Sequence, residues 1–338
     1  MPEIIGENVD RLCTVEMRPQ GMPRGQIHQL YEAARQKQQR PLTLLAAEKL
    51  ANQVGKKDVV LVTTGAGGPP WLPFGETDGA PGAAAIARAV ALGLGAIPVY
   101  VSEENNLKPI IAASQAAGVP VMSFEQARLR TGAAAAIDFP KDTSQAQERA
   151  VSVLDTFKPE AIVSLEKLGP NAKGEIHSVQ GANFTAHHAK VQYLIDGVRQ
   201  RDVLTVGIGD GGNEIGFGMI TEDVRRISRF GAKCQCACGG GMATVTATDV
   251  LVVGAVSNWA TYGIVTCLAY LLKDPNVLHD AATEMRVVEA CTREGAADGM
   301  YLVPIPYVDG TRPEVQHSVV TMLHMILENG LKTVKREI

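Results

Sequence analysis

Residues 202–218, DVLTVGIGDGGNEIGFG, decide the fold class of this chain. The run VLTVGIG is apolar or β-branched and ends in glycine, which is typical of a strand buried on both faces. Glycines then crowd the turn, and Asp210, Asn213 and Glu214 stand among them. A turn needs only one or two glycines. This density therefore predicts backbone held close to a bound group, with the three side chains as oxygen donors.

A dinucleotide site is one alternative for this turn, because Gly207, Gly209 and Gly212 match G-x-G-x-x-G after a strand. Asp210 would place a carboxylate where the pyrophosphate belongs, and no uninterrupted helix follows. The acid expected about twenty residues later is also missing. We favour a hard cation, magnesium or manganese ahead of calcium. A plain turn capped by Asp210 and Asn213 is the remaining alternative.

Strands and helices alternate on both sides of this turn. Patterns with helical spacing separate short apolar runs, and the connecting loops are rich in glycine. This alternation predicts an α/β protein with a largely parallel sheet flanked by helices. The other predicted strands cover residues 58–65, 96–102, 119–124, 133–139, 160–166, 249–256 and 300–308.

The start of the chain carries a purely helical pattern. Apolar residues recur at helical spacing in residues 25–38 and 41–55. We therefore predict a helical extension over residues 1–57, packed on an α/β domain over residues 58–338.

Composition and charge narrow the classes of partner. Hydrophobic residues make up 46% of the chain, charged residues 20%, and the net charge is −4 without a Lys/Arg block. These values predict a soluble globular protein that does not bind nucleic acid. The start MPEIIGENVDRL lacks a secretory pattern, and no stretch has the length and apolarity of a membrane span. We expect a cytoplasmic protein with a small-molecule substrate, and a homo-oligomer is compatible with the sequence.

Three of the six cysteines form the stretch CQCAC, at Cys234, Cys236 and Cys238. Six cysteines in so long a chain do not make a disulfide scaffold. The alternation predicts a strand with small thiol side chains on one face. A metal site is the weaker alternative, because the usual C-x-x-C with a distant second pair is missing.

A second acidic stretch, GETDG, places Glu76 and Asp78 between Gly75 and Gly79 at the start of an alanine-rich helix. Asp78 alone could simply cap that helix. Both acidic stretches, however, follow predicted strands, whose carboxyl ends meet at one edge of a parallel sheet. Carboxylates brought together would repel each other unless a cation lay among them. The sequence therefore predicts a metal site at this edge.

Further candidates lie in SLEKLGPNAKGEIHSVQG and GAVSNWATYG. Glu166 ends a strand and could serve as metal ligand, general base or cap; Lys167 could pair with an anionic substrate. His177 could move a proton, although a single loop histidine more often only packs. Asn258 and Trp259 could line a substrate pocket, or could start a helix and fill the core.

Five motifs in this order resemble the D-glutamate cyclase-like family: GETDGAPGAAAIARAVALG, EKLGPNAKG, GIGDGGNEIGFG, SNWATYG and VDG. The resemblance runs from about Tyr31 to Asp309. It implies an α/β catalytic domain with a divalent metal, typically manganese, and closure of D-glutamate to 5-oxo-D-proline with loss of water. It also implies metal-binding roles for the two acidic motifs and places Glu166 at the acid before the family's glycine. By this match the metal ligands are Glu76, Asp78, Asp210, Asn213 and Glu214.

The chain departs from the family pattern in the loop after Glu166. Lys173 stands where an aspartate is expected, and Gln180 stands in place of an arginine. An arginine is the natural bidentate partner of a carboxylate, so Lys173 would have to bind the substrate as a point charge. Ala260 also replaces an expected glycine.

We therefore predict a metal-dependent cyclase or lyase acting on a small amino acid, with D-glutamate as first choice. Glu166 and Lys167 are the predicted catalytic residues, and Lys173, His177, Asn258 and Trp259 the predicted substrate contacts. Manganese is the first choice of metal and magnesium the second. A related archaeal protein of similar fold has been regarded as a metal-dependent phosphatase, so a phosphohydrolase is the alternative enzyme, and a non-catalytic binding protein the alternative class.

Overall fold

Six parallel strands form one sheet in the computed structural model, which describes residues 1–19 and 21–332. The strand order is β3-β2-β1-β4-β5-β6, and every neighbouring pair is parallel. The predicted α/β fold is therefore confirmed. The strands are β1 (Val59–Thr63), β2 (Ile97–Ser102), β3 (Ala135–Asp138), β4 (Ala161–Leu165), β5 (Leu204–Gly209) and β6 (Val250–Val253).

Helices cover both faces of this sheet. Val60 and Val62 face one hydrophobic core and Leu61 faces the other, because successive strand side chains point to opposite faces. The α-helices of the described residues are α1 (Pro2–Cys13), α2 (Gln26–Gln38), α3 (Leu42–Gln53), α4 (Ala80–Arg88), α5 (Glu104–Ala116), α6 (Phe124–Leu129), α7 (Thr143–Phe157), α8 (Gln192–Val198), α9 (Thr221–Ile227), α10 (Ser257–Leu272), α11 (Ala281–Arg293) and α12 (Pro313–Leu331).

Helix α10 lies in the middle of the larger core. It is buried from Ser257 to Ala269 and packs against α1, α3, α4 and α12. A helix that is apolar on all sides must be covered on all sides. Asn258 and Trp259 thus start a helix, and Trp259 fills the core, as one alternative held. None of the helices in residues 1–19 and 21–332 is both long and apolar enough to span a bilayer.

The N-terminal helices share the core of the main sheet. Helices α1 and α3 contact α10, and α2 contacts β6. Leu30, Leu42 and Leu50 are fully buried in the same cluster as Val206 of β5. The domain boundary between residues 57 and 58 stays a prediction.

Two predicted strands do not form in the described structure. In residues 119–124 only Val121 makes a bridge, to Ala134, because α6 begins at Phe124 with Ser123 as its cap. Residues 300–308 run through turns, with Leu302 at a φ of 59°. The side chain of Asp298 accepts the backbone N–H of Tyr301 and holds the first of these turns.

The predicted strand at CQCAC is also wrong. Cys234, Cys236 and Cys238 lie in a loop, and they face one another instead of alternating along a strand. Gly239 and Gly241, both with positive φ, turn the chain directly after them. Local alternation predicted a strand, but the chain turns directly after the cysteines, and the glycines permit this turn.

The sheet order places a crevice at its centre. Strands β1 and β4 are neighbours, and the chain proceeds from β1 towards β3 on one side and from β4 towards β6 on the other. Ligands of open α/β sheets bind outside the carboxyl ends of the strands at such a reversal. The loops after β1, β4, β5 and β6 all begin at this edge of the sheet.

Candidate metal centre

Acidic side chains from three strand ends meet in the crevice. Asp78 follows β1, Glu166 follows β4 and Asp210 follows β5. All three are buried, and their carboxylate oxygens lie within 4.8 Å of one another. Glu76 and Asp309 border the same cavity as Glu166 and Asp210. We call these five residues the acid centre.

Two helices begin at the acid centre and cap each other. The carboxylate of Asp78 accepts the backbone N–H groups of Ser257 and Asn258, both at 2.8 Å, at the start of α10. The Oδ1 atom of Asn258 accepts those of Gly79 and Gly82, at 2.9 and 2.8 Å, at the start of α4. Asp78 is therefore a cap, as one alternative held, but it caps α10 and not its own helix.

Glu166 is held in a sparsely populated backbone conformation directly after β4. Its φ is 45°, in the left-handed region that is costly for a residue with a side chain. Ser257 Oγ donates to its carboxylate at 2.5 Å. This conformation and this hydrogen bond fix the carboxyl group against the start of α10.

Glu214 and Asn213, the two other candidate ligands in the turn after β5, have different hydrogen-bond partners. Glu214 accepts the backbone N–H groups of Asp210, Gly211 and Gly212 at 2.7 to 2.9 Å. Its carboxylate therefore stabilises the turn that carries Asp210. Asn213 donates from Nδ2 to the carbonyl of His177 at 2.8 Å, while its buried Oδ1 has no hydrogen-bond partner within residues 1–19 and 21–332.

The glycines of this turn bring backbone close to backbone. A Cβ at Gly207 would lie 2.4 Å from the carbonyl oxygen of Ile215, and one at Gly218 would lie 2.3 Å from the carbonyl carbon of Thr246. The turn therefore folds back onto its own strand and onto the segment before β6. These glycines are therefore explained by the packing of the backbone, and a bound group beside the turn stays a prediction.

Two residues without a predicted role enter the acid centre. The guanidinium of Arg18 donates to the carboxylate of Asp210 and forms an ion pair with Asp309 at 3.0 Å, and its Nε donates to the carbonyl of Ala255 at 2.6 Å. Arg18 comes from the segment between α1 and α2, where no sequence pattern marks it. Asp309 belongs to the VDG motif, which contributed to the family resemblance but received no role of its own.

Burial and mutual repulsion raise the pKa of the carboxyl groups in this centre. Burial raises the pKa of Asp78 to about 8, with a contribution from Asp309 and in spite of Arg18. Burial also raises the pKa of Glu166, with Asp210 as the next cause. Burial and the neighbouring Asp309 raise the pKa of Glu76. An approaching cation would replace protons on these groups.

These residues fit a divalent cation. The donors are all oxygens, which magnesium and manganese prefer over sulfur. Five carboxyl groups surround the single positive charge of Arg18, so fully ionised acids would leave an excess of negative charge. The partnerless Oδ1 of Asn213 adds a neutral oxygen at the same cavity.

A cavity of about 520 Å³ opens in front of the acids. Apolar side chains line part of it, and the rings of Trp71 and Phe184 stack there with centroids 6.3 Å apart. Ser178 and Gln180, the second of which departs from the family pattern, line one wall of the cavity. The volume and the mixed lining suit a small polar molecule.

Several predicted site residues lie away from this cavity. The ammonium of Lys167 is fully buried and bonds Glu103 and the carbonyl of Gly65. Burial alone would raise the pKa of Glu103, but Lys167 lowers it to about 2. This ion pair turns the Lys167 side chain from the acids, so its catalytic role stays a prediction.

The predicted substrate contacts also have other neighbours. Trp259 is fully buried, and its Nε1 donates to Gln316 at 2.7 Å. Lys173 is exposed on a turn, and His177 faces the loop cysteines. The side-chain amide of Asn258 is occupied by its capping bonds and by the carbonyl of Thr77. Their roles in substrate binding stay predictions.

Comparison with known proteins adds one relative and one family. The human mitochondrial D-glutamate cyclase is 29% identical over 119 residues, which is 33% of this chain and 17% of that protein. The chain thus spans less than a fifth of the relative's length in this match.

The family match is far more extensive. Residues 23–324 match the model of the family described as D-glutamate cyclase-like, C-terminal. The match includes the five residues of the acid centre, whereas Arg18 lies just before it. Since it extends over most of the chain, the resemblance seen in the motifs is confirmed: this chain belongs to the D-glutamate cyclase-like family.

Proposed function

We propose that this protein is a metal-dependent cyclase of a small amino acid, with conversion of D-glutamate to 5-oxo-D-proline and water as the first choice. The observation that carries the proposal is the meeting of Asp78, Glu166 and Asp210 within 4.8 Å at a cavity of about 520 Å³. The name of the human relative supports the choice of substrate.

Asp78 and Asp210 would hold the ion, with Glu76 and Asn213 Oδ1 as further oxygen donors, and Glu166 would stay beside it as the proton carrier. When bound, manganese or magnesium supplies a Lewis acid that polarises the carboxyl group under attack. Glu214 acts through the backbone, because its oxygens are occupied by the N–H groups of the turn.

In the reaction, the α-amine nitrogen forms a bond to the γ-carboxyl carbon, and one carbon–oxygen bond breaks. Counted from the ammonium form of the substrate, the nitrogen gives up two protons and keeps one, and the departing oxygen takes up two, so water leaves and the net charge is unchanged. Glu166 would carry protons between the two atoms, since burial raises its pKa and Ser257 fixes its position. Both reacting groups belong to one molecule, so a pocket that folds the chain of the substrate favours ring closure.

Arg18 would supply the positive charge for the substrate's α-carboxylate. It lines the cavity and in this structure pairs with Asp210 and Asp309. Once Asp210 served as a metal ligand, the guanidinium of Arg18 would be available to the substrate, as the planar, bidentate partner that Gln180 cannot provide.

The test is turnover of D-glutamate with manganese or magnesium, followed by mass spectrometry of 5-oxoproline. Asp210→Asn should reduce kcat at least about 100-fold, because it removes a charged oxygen donor at the centre. Asp155→Asn, the same change at an exposed position of α7, serves as the matched control and should retain activity.

Other outcomes would point to the alternatives. Phosphate released from small phosphoesters without ring closure would replace the cyclase with a phosphohydrolase. Ligand binding that survives Asp210→Asn, in a wild type without turnover, would indicate a binding protein. D-Glutamate unchanged with every divalent ion would contradict the proposed substrate.

A further inference from the structure

Four side chains with soft donor atoms meet behind the wall of the cavity. His177, Cys234, Cys236 and Cys238 each offer one atom, and these atoms lie within 4.8 Å of one another. The Sγ of Cys234 lies 3.5 Å from that of Cys236 and 3.3 Å from that of Cys238. The Nε2 of His177 lies 3.2 Å from Cys236 Sγ and 3.5 Å from Cys238 Sγ. We call these four residues the cysteine–histidine cluster.

The separations match the edges of a small tetrahedron. Zinc–sulfur bonds of about 2.3 Å and zinc–nitrogen bonds of about 2.0 Å require edges of about 3.8 Å between sulfurs and about 3.5 Å between sulfur and nitrogen. The distance between His177 Nε2 and Cys238 Sγ agrees with its edge, and the other three distances are shorter than theirs by about 0.3 to 0.5 Å. An ion could therefore enter with only small side-chain movements.

The imidazole of His177 is oriented as a metal ligand would be. It is fully buried, and its Nδ1 lies 3.2 Å from the carbonyl of Glu175. A proton on Nδ1 bonds this carbonyl and leaves the lone pair of Nε2 directed at the thiols. Metal-bound histidines usually have such a partner on their other nitrogen, because it fixes the tautomer and the ring.

Backbone and amide donors approach the sulfurs from outside the cluster. The N–H of Gly240 lies 3.4 Å from Cys238 Sγ, and the Nδ2 of Asn171 lies 3.6 Å from it. Hydrogen bonds to sulfur favour the thiolate, the form that binds metal. Burial raises the pKa of the Cys238 thiol, and these two donors offset part of that effect.

We propose that the cysteine–histidine cluster is a structural zinc site. Three thiolates and one imidazole fill the four positions of a tetrahedral ion and leave none open for substrate, which is the composition of structural sites. The proposal is independent of the acid centre, because thiolates select zinc whereas the carboxylates select manganese or magnesium.

The site would connect two loops to the cavity. The carbonyl of His177 accepts the Nδ2 of Asn213, and the next residues, Ser178 and Gln180, line the cavity. The three cysteines belong to the loop between α9 and β6. Zinc would hold His177 against this loop and thereby fix the wall that faces the acids.

The first experiment uses the wild-type chain. Protein purified under reducing conditions without chelator should contain one zinc ion per chain by atomic emission. Replacement by cobalt should give a thiolate-to-cobalt charge-transfer band and intense visible bands, the signature of a tetrahedral thiolate site. A cobalt protein without the thiolate band would overturn the proposal, whatever the variants do.

Variants separate this site from the acid centre. The pair Cys236→Ser and Cys238→Ser, combined in one chain, should lose the zinc and the cobalt band. Asp210→Asn, the control, should retain both. A reduced wild type that binds no zinc, and forms a Cys234–Cys238 disulfide on oxidation, would replace the metal site with a redox pair; the sulfurs lie 3.3 Å apart. Zinc retained by the double variant would also contradict the proposal.

Discussion

The acidic residues near the site have different roles because their carboxylate oxygens have different partners. Glu214 and Asp210 belong to one turn, yet the oxygens of Glu214 bind backbone N–H groups while Asp210 faces Arg18 and the other acids. Asp78 has both roles, since its carboxylate caps α10 and also belongs to the acid centre. The motif alone does not distinguish these cases.

The stability of the metal-free protein should fall as the pH rises from about 6 to about 8. Asp78 has an ordinary pKa of 3.8 and a folded pKa of about 8. Between these values the folded state binds more protons than the unfolded state, so the free energy of unfolding decreases with rising pH. Manganese should reverse this trend, because the ionised acids bind it. Tm measured by calorimetry at each pH, with and without manganese, checks this.

A Tm of the metal-free protein that increases over this interval would contradict the raised pKa values. Stabilisation by manganese that is equal at both ends of the interval would contradict binding at these acids. Calcium-free and manganese-free samples prepared with a chelator serve as the reference.

At the scale of elements, the site depends on two helices, each of which has its first N–H groups capped by a side chain from the start of the other. Helix α4 follows β1 and α10 follows β6, so the two are far apart in sequence. Asp78 supplies the acceptor for α10, and Asn258 supplies the acceptor for α4. The first N–H groups of a helix have no partner within it, which makes both contacts stabilising.

Asn258→Ala should lower the free energy of unfolding by about 2–3 kcal/mol, because it leaves two buried N–H groups at the start of α4 without an acceptor. Denaturation in urea measures the change. Asn276→Ala, at an exposed position, should cost less than about 0.5 kcal/mol.

The steady-state constants decide between capping and substrate binding at this residue. If Asn258 bound the substrate directly, the variant would raise KM with little change in stability. Unchanged stability would therefore contradict the capping role.

At the scale of the whole molecule, the N-terminal segment completes the acid centre. Arg18 lies before the residues that match the family, but it pairs with Asp210 after β5 and with Asp309 near the start of α12. Helices α1 and α3 hold this segment in place through their packing on α10. The extension thus contributes a charge to the site as well as apolar surface to the core.

Arg18→Met should destabilise the metal-free protein by about 3–5 kcal/mol at neutral pH, because it leaves buried acids without their positive partner. Manganese should recover part of this loss. Denaturation with and without manganese measures both effects.

Arg18→Lys is the matched control for this variant. It keeps the charge and should retain more stability than Arg18→Met, although it lacks the planar guanidinium. Equal stability of the wild type and Arg18→Met without metal would show that Arg18 does not balance the acids.

The sequence predicted the parts of the site that depend on local pattern. Glu76, Asp78, Glu166 and Asp210 were found because each follows an apolar strand, and parallel strands end at one edge of a sheet. The cysteine loop was misinterpreted, since alternation favoured a strand and His177 comes 59 residues before Cys236. No spacing rule connects residues that meet only after folding.

The sequence by itself determined the α/β class, the parallel sheet and the edge at which the acids lie. Burial periodicity and strand ends are local properties that neighbouring residues encode. Only the tertiary structure decided that Arg18 and Asp309 join the acids, that Glu103 binds Lys167, and that His177 faces three thiols. These contacts join distant segments, and their geometry depends on how the helices pack against the sheet, which no short stretch of sequence contains.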